Sequence, residues 1–204
     1  MWWRLFLDAL VSSINPIKIA FAIASNIKIP FITTIKVNPP QLKILKKSLV
    51  NGDFLYTRRD YFLKNLIVPG KYHHVAYWDT ERQVVIEMQN DGYEETQLED
   101  FLCRYTEVVV CKCTNFDSNY KTKFVRNLRS YSDKEYDSDF SFNTKAMYCS
   151  EMGFQADQGR KMEYIPEKVL WKTVILPYGL YKSKHMVRKF TIFLFKKKPK
   201  IVYN

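Results

Sequence analysis

Tyr148-Cys149-Ser150-Glu151-Met152 is the stretch on which the reading of this chain turns, and its counterpart is Gly70-Lys71-Tyr72-His73-His74-Val75-Ala76-Tyr77-Trp78. At Cys149 an extended segment passes into a predicted helix that runs through Met152 and Ala156. A sulfur at a helix N-terminus sits at the positive end of the helix dipole, which favours the thiolate. The unpaired N–H groups of that first turn can also hold a developing oxyanion. The second stretch predicts a strand over about His73 to Trp78, opened by two of the chain's three histidines. Adjacent strand residues face opposite sides, so one of His73 and His74 looks into any given site. His74 shares its side with Ala76 and Trp78. An imidazole beside the thiol would complete an activated nucleophile. On spacing alone, however, a Cys and a His 75 positions apart are more often structural.

Outward from these two stretches, β-prone runs recur. Phe54 to Thr57 follows the Asn51-Gly52 turn, Gln83 to Met88 makes a further strand, and Thr106 to Cys113 another, with Val108, Val109 and Val110 at its centre. Glu95 to Tyr105 and Tyr120 to Tyr131 carry helical spacing, as does the short basic run Gln41 to Val50. Val169 to Leu176 reads as a further strand or an extended segment, and Thr191 to Phe195 is strongly β-prone. The pattern predicts an α+β domain, an antiparallel sheet packed against helices.

Taken in order, Gly52-Asp53-Phe54-Leu55, Tyr72-His73-His74-Val75-Ala76-Tyr77, Val85-Ile86-Glu87, Tyr136-Asp137 and Tyr148-Cys149-Ser150-Glu151 resemble the circularly permuted papain-like hydrolases of the NlpC superfamily, the YaeF/YiiX group. The resemblance spans roughly residues 50–155. It implies a permuted papain-like fold with Cys149 as nucleophile, His74 as base and Glu87 as the residue that orients the imidazole. Asp53, His73, Tyr136 and Ser150 fall on motif positions that would line the site or bind substrate. The implied activity is a cysteine hydrolase cutting a peptide or peptidoglycan-like amide through a thioester, with neither metal nor organic cofactor. A lipid-directed thiol acyltransferase or acyl hydrolase of the lecithin retinol acyltransferase type shares the permuted arrangement. A catalytically silent binding module is the alternative from another class. Substrates are accordingly a peptide, an amide or an acyl-lipid.

Composition sets the remaining bounds. In 204 residues, 47% hydrophobic and 26% charged, there is room for one well-filled domain and no sign of disorder. The net charge of +11 is uneven. Residues 1–50 carry seven Lys/Arg against one acid, Asp8; residues 51–181 carry 17 against 20; residues 182–204 carry eight and no acid. Three segments are therefore expected: an apolar, basic, helical N-terminal segment (1–50), the catalytic domain (51–181) and a basic C-terminal extension (182–204). Trp3, Phe6, Leu7, Leu10, Val11 and Ile14 form one helical stripe, and a second helix is expected from Asn15-Pro16 to about Ile27. With lysines opposite, residues 1–35 suit contact with a membrane surface as well as packing on the domain. Nucleic acid ranks last among partners for the basic ends. The N-terminus lacks the shape of a cleavable signal, and Lys18, Asn26, Lys28 and Pro30 interrupt any membrane span. Cys103, Cys111 and Cys113 read as structural thiols without zinc-ligand spacing, which suits a reducing compartment. The expected location is cytoplasmic, with or without peripheral membrane association. His185 has no evident partner in the sequence.

Overall fold

Phe54–Arg58 (β1) lies at the centre of the sheet because every residue but the last is buried and no face is left for water. It follows a turn in which Gly52 adopts φ +74°, a left-handed conformation that suits glycine. Beside it lie His74–Asp79 (β2), Val84–Gln89 (β3), Gly92–Gln97 (β4), Glu107–Cys113 (β5), Met186–Phe193 (β8) and Lys200–Tyr203 (β9). They form one sheet in the order β4-β3-β2-β1-β5-β8-β9, antiparallel throughout. A separate hairpin pairs Glu167–Val169 (β6) with Lys172–Val174 (β7). The computed structural model describes residues 37–58, 70–141, 145–164, 166–169, 172–194 and 199–203.

Helices cover both faces. Pro39–Ser48 (α1) is capped by Asn38, whose side chain accepts from Gln41 N at 2.9 Å, with prolines filling the first positions where an N–H is dispensable. Leu98–Leu102 (α2) lies on the same face, and together they bury Leu45, Leu49, Leu98, Phe101 and Leu102 against Leu55, Ala76, Trp78, Val85, Val108 and Val110. Ser118–Arg129 (α3), capped by Asp117, and Cys149–Ala156 (α4) close the opposite face over Phe54, Tyr56, Tyr77, Ile86, Met88 and Val109. Pro177–Tyr181 (α5) contributes Leu180 to that core. Cys111 and Cys113 share this face, as the alternation predicts.

The α+β architecture stands as expected, with three corrections. Residues 95–105 are not one helix: Gly92–Gln97 is an edge strand, and the helix begins only at Leu98. The strand's polar run, Tyr93-Glu94-Glu95-Thr96-Gln97, guards an exposed sheet edge with charge, and in sequence this mimics an amphipathic helix. The expected strand or extended segment from Val169 to Leu176 is instead part of a hairpin of two short strands, Glu167–Val169 and Lys172–Val174. The segment from Lys182 is not an appended tail, because β8 pairs with β5 from Glu107↔Phe193 to Cys113↔Met186, and β9 pairs with β8. The expected helices between Trp3 and Ile27, and the pairing of residues 1–35 with a membrane, lie outside the described residues. Among the described residues, no helix is long and apolar enough to cross a membrane.

The basic strand β8 carries charge inward as well as outward. Lys189 Nζ donates to Asp53 Oδ2 at 2.5 Å and to Ser48 O at 2.8 Å, and Asp53 also accepts from Val50 N at 2.8 Å. Asp53 is 1% exposed, and burial raises its carboxyl pKa in spite of Lys189. Removing one member of such a pair strands the other charge. Lys189→Met is therefore expected to lower stability by about 3 kcal/mol, read as a lower denaturant midpoint at unchanged slope.

Candidate active site

Cys149 is the first residue of α4, and Tyr148 is its N-cap in extended conformation (φ −106°, ψ 168°) without a side-chain capping bond. Several ties bring the chain to that point. Tyr136 and Met147 form a parallel bridge, Asp137 N donates to Met147 O at 2.9 Å, and Met147 N donates to Glu135 O at 2.9 Å. The Asp137 carboxylate accepts from the N–H groups of Asp139 (2.8 Å) and Ser141 (2.6 Å), which folds the loop back. Ser150 Oγ donates to Ile175 O at 2.6 Å, and Ile175 N donates to the Tyr148 hydroxyl at 3.0 Å. From the sheet, the Tyr77 hydroxyl donates to Cys149 O at 3.0 Å.

That last contact depends on Gly153. A Cβ at this position would lie 2.0 Å from the Tyr77 hydroxyl oxygen. Tyr77 cannot step aside easily, since its ring is wedged edge-on against Phe54 (5.2 Å) and Phe124 (5.6 Å). Alanine ordinarily gains about 1 kcal/mol over glycine within a helix, but overpacking of a filled core costs about 1–3 kcal/mol. Gly153→Ala should therefore destabilise the fold and push α4 off the sheet, moving Cys149. The check is a thermal melt together with the rate at which iodoacetamide alkylates Cys149; both should fall.

The imidazole of His74 stands at the first position of β2, opposite Thr57 in the β1 ladder. Its Nε2 lies 3.0 Å from Glu87 Oε2, and the ring is hydrogen-bonded to the Cys149 side chain. With Nε2 turned to the carboxylate, Nδ1 is the nitrogen left for the sulfur. Alternation along β2 sets His74 on the Ala76 and Trp78 side, whereas Cys149 packs with the cluster on the other side. The registered β2–β3 pairs stop at Tyr77↔Ile86. The site forms beyond them, where a β2 side chain can meet both β3 and the first turn of α4. The ring of Tyr105 stacks on His74 at 6.0 Å, 14° from parallel.

Glu87 is fully buried and accepts from four donors. Oε2 takes His74 Nε2 and Gln89 Nε2 (2.5 Å); Oε1 takes Thr96 Oγ1 (2.8 Å) and Arg104 Nη2 (2.5 Å). Burial alone would raise its pKa, but the bonds and charges of His74, Arg104 and Thr96 overrule it and lower it to about 2. The carboxylate therefore stays ionised at any working pH. For His74, burial disfavours the cation, yet the charge and hydrogen bond of Cys149, with those of Glu87, outweigh it and push the imidazole up to about 9. Cys149 is 5% exposed and His74 8%, so the pair interacts where water screens it little. The remaining thiols differ: burial pushes Cys111 up to about 12 and Cys113 to about 11. None of the four cysteines is in a disulfide.

The structure brings Cys149, His74 and Glu87 together. The ring that meets Glu87 belongs to His74; His73 gives its backbone N–H to Thr57 O at 3.2 Å in the ladder. Tyr136 lies close enough for the charge of Cys149 to raise its pKa, after burial. Two candidate lining residues are corrected. Asp53 belongs to the α1–β1 turn with Lys189, and Ser150 spends its hydroxyl, fully buried, on Ile175 O. His185 does have a partner: its Nε2 lies 2.9 Å from Glu163 Oε1. Gln89, Thr96, Arg104, Tyr105 and Gly153 were not singled out from the sequence. Gln89 was within reach, two residues beyond Glu87 and on the same side of a strand; the others depend on contacts that local spacing does not announce.

Three comparisons bear on this arrangement. The sequence model of a family described as "Permuted papain-like amidase enzyme, YaeF/YiiX, C92 family" matches residues 48–164. No curated protein sequence matches the chain. Among solved structures, the metalloprotein yiiX from Escherichia coli O157:H7 superposes with a TM-score of 0.59 at 16% identity, over 68% of this chain and 94% of that one. The likeness carries the fold. As to a metal, no group of three or more His, Cys, Asp or Glu side chains among the described residues could hold an ion. With a family match over more than half of its length, and with the fold to go with it, this chain belongs to the permuted papain-like amidases of the YaeF/YiiX, C92 family.

Proposed function

We propose that this chain is a cysteine hydrolase that cleaves an amide of the peptide or peptidoglycan-like class through a thioester on Cys149. The observation that carries the proposal is the unbroken relay from Cys149 at the start of α4, through His74, to the buried Glu87 carboxylate. Glu87 accepts from His74 Nε2–H and so fixes the tautomer whose Nδ1 takes the thiol proton. The sulfur attacks the amide carbon, and the carbonyl oxygen gathers charge beside the N–H groups of the first turn of α4. One such donor is worth about 3 kcal/mol, roughly a hundredfold in rate. The C–N bond then breaks as the His74 imidazolium gives its proton to the departing nitrogen. Water, deprotonated by His74, adds to the thioester and releases the acid, and the proton returns to sulfur.

Intact-mass and peptide mass spectrometry after brief exposure to a panel of amides, esters and thioesters tests the reading. The expected result is an acyl mass on the peptide that contains Cys149, released by hydroxylamine. If acid and amine accumulate while no acyl group is ever trapped on that peptide, even with the most activated esters, the covalent route is wrong.

A further inference from the structure

We infer that Arg104 is a positioning residue of the relay: its guanidinium pins one oxygen of Glu87 so that the other is held on the imidazole of His74. The inference rests on the hydrolase reading above and deepens it.

The two oxygens of Glu87 are divided between two tasks. Oε2 faces His74, while Oε1 is occupied by Arg104 Nη2 and Thr96 Oγ1. A carboxylate bonded to an imidazole through one oxygen alone is free to turn about its last torsion and offer either lone pair. A carboxylate whose second oxygen also accepts from a guanidinium N–H and from the Thr96 hydroxyl is not. The guanidinium itself is set by its surroundings. Arg104 follows α2, where Leu98, Phe101 and Leu102 are core residues; its N–H donates to Phe101 O at 3.1 Å, and its guanidinium lies 5.7 Å over the Phe101 ring. Nη1 also comes within 3.8 Å of Glu94 Oε2. Arg104 thus ties β3, β4 and the end of α2 together behind the histidine, where a single substitution reaches the relay without touching substrate.

Charge adds a second consequence. The groups that act on the His74 ring are Cys149 from α4, Glu87 from β3, Glu94 from β4, and Arg104 and Tyr105 from the segment after α2. Among these Arg104 is the cation. It offsets part of the Glu87 charge and holds down the basicity of the imidazole.

The test is Arg104→Met, with Arg104→Lys beside it, in the full chain. The chain contains three histidines, so the ring signals of His74 can be assigned in the NMR spectrum by comparison with His74→Gln. In Arg104→Met the titration of His74 should move up by about one pH unit, and acyl-enzyme formation on the activated-ester panel should slow about 10-fold or more, as losses of such supporting partners do. Arg104→Lys keeps a cation without the guanidinium, so its titration should stay near the native position while acylation remains slowed. A folded Arg104→Met protein whose His74 titration and acylation rate are both native overturns the inference. If Arg104→Met does not fold, Arg104→Lys decides it, because native acylation in that variant contradicts the need for the guanidinium. The titration needs no turnover, so it distinguishes failure of this inference from failure of the hydrolase reading, in which Cys149 would carry no acyl group.

Discussion

Cys149→Ala is expected to abolish amide hydrolysis, with kcat falling by roughly 10^4- to 10^6-fold, the range seen when a covalent nucleophile is removed from a positioned relay. A loss of that size corresponds to about 5–8 kcal/mol of transition-state stabilisation. It cannot arise from a packing defect at this position, because alanine removes a single sulfur from a helix start that other bonds hold in place. Tyr77 still donates to the residue-149 carbonyl, Ser150 to Ile175 O, and the Tyr136–Met147 bridge does not involve the sulfur. The variant should therefore melt close to the native protein while release of amine from the substrate panel drops to background. Cys111→Ala gives the opposite signature. Its sulfur is buried in the sheet core, where burial pushes the thiol to about 12, so that substitution should cost stability and leave the rate per folded molecule alone. Near-native hydrolysis by folded Cys149→Ala protein would remove the sulfur from the chemistry altogether.

The parts of this molecule legible in its sequence are those where one physical demand fixes the residue type. Strands β1, β2, β3 and β5 are covered on both faces, so they appear as short apolar runs between turn signals, and their positions were read to within a residue or two. The start of α4 was legible for a similar reason, since the extended Tyr148 and the helix-initiating Cys149-Ser150-Glu151 mark one backbone transition. Edge strand β4 was not, because an exposed edge favours the same charged residues as a helix surface. The basic C-terminal segment looks like a tail on charge alone: Lys189 answers a buried carboxylate 136 residues earlier in the chain, and no local pattern reveals that match. The site divides along the same line. Cys149, His74 and Glu87 are named by the ordered motifs that the family shares. Their supporting residues, Thr96 and Arg104, converge only once β3, β4 and α2 have folded against one another. Asp53 and Ser150 occupy motif positions yet serve the backbone, so sharing a motif with the nucleophile does not place a side chain in the site.

His74→Gln should reduce hydrolysis by about 10^4-fold or more and at the same time change what pH does to the protein. In the native chain the imidazolium must be present to protonate the departing nitrogen. Activity should therefore hold through neutral pH and fall as pH rises through about 9, where the Cys149–His74 pair gives up that proton. Glu87, lowered to about 2, contributes no limb in the working range. The linkage to stability has a definite sign. His74 binds its proton more tightly folded than unfolded, where its ordinary value is about 6.5. Its contribution is thus fully present below about 6.5 and disappears as pH climbs to about 9, so the native melting temperature should decline across that window more steeply than that of His74→Gln. Alkylation supplies the third readout. At neutral pH iodoacetamide should label native Cys149 well ahead of Cys111 and Cys113, whose thiols burial holds protonated, and His74→Gln should erase most of that lead. A glutamine that leaves Cys149 just as reactive, with the same pH profile of stability, would mean that the ring at position 74 packs against the sulfur without sharing a proton with it.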